Sequence, residues 1–382
     1  MYMKKIAVVT ATRAEYGILR PLILKLQNDK DFYMQLLVTG MHLEQKYGYT
    51  KEEIERDGVP IFRCISILEE GNSEYDISLA MANAVRGFAE YFRDEQPETV
   101  IVLGDRTEIL GVCAAAMNAR IPIAHLHGGE ITEGAVDDCV RHAVTKMSYL
   151  HFAANEAYRK RIIQMGEAPE RVFNVGALGV ENILNVSLLS KAEMCEQVGF
   201  PKDRKYVVVT FHPVTLEENR IEEQVKEVLC AIDKNDKYFY LITKANADAG
   251  GDKVNEMLAA YASKHENVML VASLGMVRYL SSLKYAEFAL GNSSSGIIEA
   301  PVFGIPTVNI GDRQRGRMMA ASVINCETRC DAICDAILKA EKMRCEPSFL
   351  YGDGMTSDKI MEIMKDFLFN GKIDLKKQFY NI

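Results

Sequence analysis

Several absences narrow the field before any motif is read. Positive charge is not in excess: 45 lysines and arginines face 53 aspartates and glutamates, a formal charge of -8, which argues against a broad nucleic-acid footprint. No apolar run is long enough to span a bilayer. The opening "MYMKKIAVVTATRAEYG" places two lysines before an apolar stretch, as a secretory leader does, but that stretch is short and is broken by Arg13 and Glu15. It reads as a first strand, and the protein is expected in the cytoplasm. The nine cysteines are scattered without a C-x-x-C pair, so neither a disulfide scaffold nor a zinc or iron–sulfur site is expected. Cys326, Cys330 and Cys334 recur every fourth residue and are predicted to share a helical packing face. G-x-G-x-x-G is also missing, so a standard dinucleotide site is not supported.

What the chain does have is alternation. Its 382 residues, 48% apolar and 26% charged, exceed what one hydrophobic core usually holds. Short apolar stretches such as "KIAVVT", "MQLLVTG", "ETVIVLGD", "IPIAHLHGG", "LHFAA" and "VFNVG" alternate with helical ones such as "ISLAMANAVRGFAEYFRDE". Strands that are apolar nearly throughout, separated by helices, predict a parallel sheet covered on both faces. The alternation restarts with "YVVVTFHP", "YFYLITKA", "NVMLVAS", "EFALGNSSS" and "IPTVNIGD". The expected fold is α/β, with two Rossmann-like doubly wound domains, 1–179 and 180–382, facing across a central cleft. A last amphipathic helix, about 357–369, is placed to cross back onto the first domain.

In doubly wound folds ligands bind where strands end, and the polar residues cluster there. Arg13 follows the first strand, where it reads either as a phosphate partner or as a surface loop residue. "VLGDRTE" presents Asp105 and Arg106, either a loop ion pair or an acid–base group beside a cation. "HLHGGEITEGAVDDCVRHAVTK" is the densest polar stretch. His125 and His127, two apart, are predicted on one strand face, and two glycines then turn the chain to present Glu130. Asp137 and Asp138 open the next helix, with Arg141 and His142 on its face, although an aspartate there also serves as a plain cap. H-x-H with carboxylates admits a metal-dependent hydrolase, but no third histidine stands at ligand spacing, and no metal is expected. His125 also fits a hydrogen-bonded core residue.

In the second half, His212 ends "VVVTFHP" before a proline, and Asn246 lies in "TKANADAGGD". "GNSSSGIIEAP" runs from a strand into a helix start, where bare N–H groups and serine hydroxyls suit an anion. The competing reading is an ordinary N-cap. Ser293 and Ser294 are expected on phosphate and Glu299 on a ribose diol. Arg313, Arg315 and Arg317 supply nearby cations. Together these features imply a nucleoside diphosphate, most simply a nucleotide-sugar.

At this point the motifs match a known family. "TRAEYG", "VTGMH", "VLGDR", "HLHGGE", "DD-x-x-RHA-x-TK", "TFHPVT", "GNSSSG-x-x-E" and "NIGDRQ-x-GR" resemble, in order, the hydrolysing UDP-N-acetylglucosamine 2-epimerases of sialic-acid and related nonulosonic-acid biosynthesis. The resemblance implies a GT-B fold, no cofactor, a homodimer, and conversion of UDP-N-acetylglucosamine and water into N-acetylmannosamine and UDP. UDP leaves C1 as C2 loses a proton, and water then adds to a glucal-like intermediate. Carried over by position, Asp105, Asp137 and Glu130 act as acid–base groups and His212 assists the nucleotide's departure. Arg13, Arg106, Asn246, Ser293, Ser294, Glu299 and Arg313 bind UDP. The chain departs from other branches at His127, where they have a glutamate before the two glycines, and Glu130 is expected to take over as base. A related substrate, UDP-2,4-diacetamido-2,4,6-trideoxyhexose, a GT-B glycosyltransferase activity and a nucleotide-sugar sensor are the alternatives.

Overall fold

A computed structural model describes residues 3–71, 73–132, 136–213, 220–245, 250–371 and 373–382. Among them, mostly apolar runs of three to eight residues form thirteen strands in two sheets, parallel throughout. The first sheet holds β1 (Lys4–Thr10), β2 (Phe32–Thr39), β3 (Ile61–Ile65), β4 (Thr99–Leu103), β5 (Ile123–Leu126), β6 (Leu150–Ala153) and β7 (Val172–Asn174). Its spatial order is β3-β2-β1-β4-β5-β6-β7. The helices in this half are α1 (Arg13–Asn28), α2 (Lys51–Arg56), α3 (Glu74–Glu95), α4 (Thr107–Asn118), α5 (Val136–Met147), α6 (Glu156–Gln164) and α7 (Leu178–Asn185).

The second sheet takes the order β10-β9-β8-β11-β12-β13. Its strands are β8 (Tyr206–Thr210), β9 (Phe239–Thr243), β10 (Val268–Val271), β11 (Ala289–Gly291), β12 (Thr307–Ile310) and β13 (Val323–Cys326). Interleaved with them are α8 (Lys191–Val198), α9 (Ile221–Lys234), α10 (Gly251–Ala262), α11 (Gly275–Lys284), α12 (Ser294–Ile298) and α13 (Cys330–Lys342), and α14 (Thr356–Lys365) comes last.

Each sheet is covered on both faces because successive strand residues point to opposite sides. Ile6 and Val8 of β1 pack with Leu19, Leu22 and Leu26 of α1, while Ala7 and Val9 meet Phe88 and Phe92 of α3 on the other side. In the second sheet Val207 and Val209 meet Val228 of α9 and Ile333 of α13, and Val208 turns to Met194 of α8 and Leu283 of α11.

The chain divides into two compact units, one of Met1–Glu130, Asp137–Asn182 and Tyr351–Ile382, the other of Ile131–Val136 and Ile183–Leu350. The C-terminal segment is tied to the first unit by specific bonds. Ser357 N–H donates to the buried Glu181 at 2.6 Å, and Lys365 Nζ lies 2.7 Å from Asp29 and 2.8 Å from Asp31. Farther on, Lys377 Nζ reaches the fully buried Glu167 at 2.7 Å and donates to the carbonyls of Lys146 and Ser148.

The cysteine expectation needs correction. Cys326 closes β13 and Cys330 opens α13, so the three cysteines do not share one helix. Cys330 is joined by a disulfide to Cys230 of α9. No helix among the described residues is long and apolar enough to cross a membrane.

Candidate active site

In both sheets the strand order reverses once, between β1 and β4 in the first and between β8 and β11 in the second. At such a switch point the flanking loops diverge and leave room beyond the carboxyl ends of the strands. The described polar residues singled out from the sequence follow β1, β4 and β5 in the first unit and β8, β11 and β12 in the second.

In the first unit the loop after β1 enters α1 through a capping box. Thr12 Oγ1 accepts from Glu15 N–H, while Glu15 Oε2 accepts from the amides of Ala11 and Thr12 at 2.8 and 3.0 Å. The box sets Arg13 as the first residue of the helix. Glu15 is buried, and burial, reinforced by the charge of Glu108, raises its pKa from 4.5 to about 7. Arg106, at the start of α4, donates to Glu108 at 2.7 Å. Asp105, at the end of β4, receives a hydrogen bond from Arg141 of α5, whose guanidinium is almost entirely out of solvent. Asp137 lies half-buried in the first turn of α5, and Asp138 Oδ2 stands 3.5 Å from His142 Nε2.

The two histidines of "HLH" part company. His125 ends within β5, with Nε2 donating to the Gly104 carbonyl at 2.8 Å and Nδ1 accepting from Thr145 Oγ1 at 3.2 Å. Burial takes its pKa down to about 3. It is a neutral core residue with both nitrogens satisfied. His127 leaves the strand with φ of +62°, so it does not share the strand face of His125, contrary to the two-residue spacing. Gly129 follows at φ +74°, and a Cβ there would stand 2.5 Å from the Tyr158 carbonyl; only glycine lets the turn pass so close. The turn brings Glu130, 2% exposed, to 3.0 Å from His127 Nδ1.

In the second unit the site begins with Gly291 at the end of β11. Its φ is +134°, and a Cβ would fall 2.0 Å from the Thr210 carbonyl, so β8 and β11 approach each other through a bare backbone. The next residue, Asn292, is buried and clamps His212 from both sides. Its Oδ1 accepts from His212 N–H at 2.7 Å and its Nδ2 donates to the His212 carbonyl at 2.8 Å. Gln314 and Arg313, beyond β12, both donate to the Asn292 carbonyl, at 2.8 and 3.3 Å.

The serine run forms a short helix rather than a long one. Ser293 caps α12 by accepting from Ser295 N–H, Ser294 is its first residue, and α12 spans only five residues. Tyr279 donates to Ser295 Oγ at 2.8 Å, and Ser295 donates to Glu299 Oε2 at 2.5 Å. One Glu299 oxygen therefore already holds a hydroxyl, and burial raises the pKa of its carboxyl. Of the three arginines, Arg313 reaches the serine loop, Arg315 pairs with Asp312, and Arg317 donates to the Ile131 carbonyl and Thr132 Oγ1. Asn246 lies outside the described residues. Among the described residues no three His, Cys, Asp or Glu side chains gather as a metal site would require.

Sequence reasoning missed Asn292 and Gln314, because their work is to fix backbone rather than to titrate. Arg141 stood in the sequence as one polar residue of a helical face, and nothing there told which carboxylate it serves.

Comparison with known proteins gives this arrangement a context. The sequence profile of the UDP-N-acetylglucosamine 2-epimerase family matches residues 24–365. The chain is 40% identical over 328 residues to a GDP/UDP-N,N'-diacetylbacillosamine 2-epimerase (hydrolyzing) of Campylobacter jejuni, covering 86% of this chain and 85% of that protein. It is 38% identical to the polysialic acid biosynthesis protein P7 of Escherichia coli, covering 100% of this chain and 98% of the relative. Among solved structures, a Neisseria meningitidis UDP-GlcNAc 2-epimerase bound to UDP-GlcNAc superposes with a TM-score of 0.80 at 19% identity, over 94% of this chain and 99% of that one. The likeness establishes a GT-B-type pair of Rossmann-like units.

Proposed function

Because the chain belongs to the UDP-N-acetylglucosamine 2-epimerase family, we propose that it is a hydrolysing 2-epimerase acting on a UDP-linked 2-acetamido sugar. The observation that carries this reading is the set of proton-transfer groups that follow β4 and β5, where Asp105 is gripped by Arg141 and His127 is paired with Glu130. A metal-free elimination needs such groups, since C2–H is a weak acid and loses its proton only to a base placed within hydrogen-bond reach.

In this reading the second unit holds the nucleotide. Ser293, Ser294 and Arg313 take the diphosphate, Glu299 takes the ribose hydroxyls with its remaining capacity, and His212, fixed by Asn292, assists departure of UDP. Arg13 and Arg106 add cations from the first unit, with Asn246 a further nucleotide contact. The first unit supplies the chemistry through Asp105, Asp137 and the His127–Glu130 pair. A homodimer and a cytoplasmic location belong to the same reading, to be tested by sedimentation and fractionation.

UDP-N-acetylglucosamine is one substrate of this class, and N-acetylmannosamine would be its product. The similarity to the Campylobacter jejuni enzyme favours a second substrate, the UDP-linked 2,4-diacetamido-2,4,6-trideoxyhexose. Proton NMR of each UDP-sugar with the protein in D₂O separates the two. The expected result is release of UDP and of a free sugar epimerised and deuterated at C2, unchanged by chelator. A sugar transferred to an acceptor with C2 intact would move the assignment to a glycosyltransferase, and binding of both substrates without turnover would make the protein a sensor.

A further inference from the structure

We propose that the base which removes the C2 proton is Nε2 of His127, and that Glu130 is the positioning residue that fixes which imidazole nitrogen carries the lone pair; this rests on the epimerase reading above. An ionised carboxylate only accepts, so the 3.0 Å contact between Glu130 Oε1 and His127 Nδ1 places the ring proton on Nδ1. A neutral ring then has its lone pair on Nε2. That atom is buried and has no hydrogen-bond partner among the described residues.

His125, two residues earlier, shows the opposite arrangement. Its Nε2 must donate to the Gly104 carbonyl and its Nδ1 accepts from Thr145. One ring is satisfied at both ends, and the other keeps an accepting nitrogen in reserve. The backbone is committed to this difference. His127 occupies a left-handed conformation, φ +62°, that non-glycine residues rarely adopt. The turn is held there by His127 N–H on the Phe152 carbonyl at 2.9 Å and by Arg161 on the Gly129 carbonyl.

Asp105 and Glu130 are worse candidates for this step. Asp105 is already committed to the Arg141 guanidinium. Glu130 spends an oxygen on His127. In the proposed step the C2–H bond breaks and its proton passes to Nε2. The bonding pair becomes the C1=C2 double bond, and the C1–O bond breaks with its pair leaving on UDP. The imidazolium keeps its Nδ1 proton against Glu130, whose charge stabilises it as it forms.

The test uses the full-length protein with UDP-N-acetylglucosamine and the UDP-2,4-diacetamido sugar in D₂O. Wild-type turnover of at least one is the check on the parent reading; if neither reacts, that reading fails and not the base assignment. With an active substrate, His127→Gly and His127→Asn are compared, both chosen because they accept a left-handed backbone. UDP binding by calorimetry confirms that each variant is folded. The expected result is a fall in kcat of about 10²-fold or more with KM little changed, and partial restoration of His127→Gly by added imidazole. ¹⁵N NMR of histidine-labelled protein should show His127 as the Nδ1–H tautomer in the wild type, with that population reduced in Glu130→Gln. Turnover of either His127 variant within about threefold of wild type, or an Nε2–H tautomer in the wild type, would overturn the assignment.

Discussion

Arg141, almost fully buried on α5, donates to the carboxylate of Asp105 at the carboxyl end of β4. A desolvated guanidinium facing one carboxylate fixes both its position and its charge. Asp105→Asn is expected to lower kcat by about 10²–10⁴-fold, the range for one acid–base group, while UDP affinity measured by calorimetry stays within a few-fold. Arg141→Lys keeps the charge and loses the planar fork, so it should fall between wild type and Asp105→Asn. Wild-type kcat in Asp105→Asn would remove this pair from the chemistry.

Glu15 predicts an unusual pH dependence of stability. Its pKa in the folded protein, about 7, lies above the ordinary 4.5 because burial and Glu108 disfavour the charged form. Between those values the folded state binds more proton than the unfolded chain, so stability contributed here is complete below about pH 4.5 and is lost as pH rises through 7. The full difference corresponds to roughly 3 kcal/mol. Glu15→Gln retains an acceptor for the amides of Ala11 and Thr12 and cannot ionise. It should be more stable than wild type at pH 8, by at least about 1 kcal/mol, with the advantage shrinking at pH 5 in urea melts.

Asn292 offers a test of the second unit. Replacing it with alanine removes two hydrogen bonds to the His212 backbone, and a lost buried hydrogen bond costs about 1–3 kcal/mol. The expected outcome is a lower Tm together with UDP binding weakened about tenfold, which is about 1.4 kcal/mol. Asn292→Asp keeps the acceptor but not the donor and should be milder in both. A lower Tm with unchanged UDP affinity would detach His212 from nucleotide binding.

The tail makes a separate prediction at low pH. Burial by itself would raise the Glu167 pKa, but His151, Lys146 and Lys377 hold it down to about 2. Stability from this carboxylate is present above about pH 4.5 and disappears as pH falls through 2. Glu167→Gln should flatten the acid limb of a stability–pH curve, and Lys377→Met should cost about 1–3 kcal/mol at pH 7 by removing one of the three donors.

Much of the architecture could be read from the sequence because buried parallel strands are unbroken apolar runs. The two strands that escaped are β3, "IFRCI", and β13, "VINC", each at a sheet edge. Both are mostly half-exposed, so their side chains lack the apolar uniformity that marked β1 or β4. The site was legible where a charged residue directly followed a strand, as with Asp105 and Arg106. It was illegible where backbone geometry decided the outcome. The spacing of His125 and His127 implied a shared face, but the left-handed residue at 127 breaks the strand period. Nor could the helix-start pattern at Ser293 reveal that the helix stops after five residues, with Glu299 bonded to a serine of the same run.

The first unit is closed by residues that are made after all of the second. Ser357, Lys365 and Lys377 reach Glu181, Asp29, Asp31 and Glu167, up to 336 positions earlier, from 365 to 29. Although amino-terminal segments generally begin folding while synthesis continues, here the sheet formed by β1 to β7 must wait for residues 351–382 to emerge before its cover is complete. A chain ended at residue 350 would keep every residue of the second unit and lose part of the first, so truncation there would harm the part of the protein translated earliest.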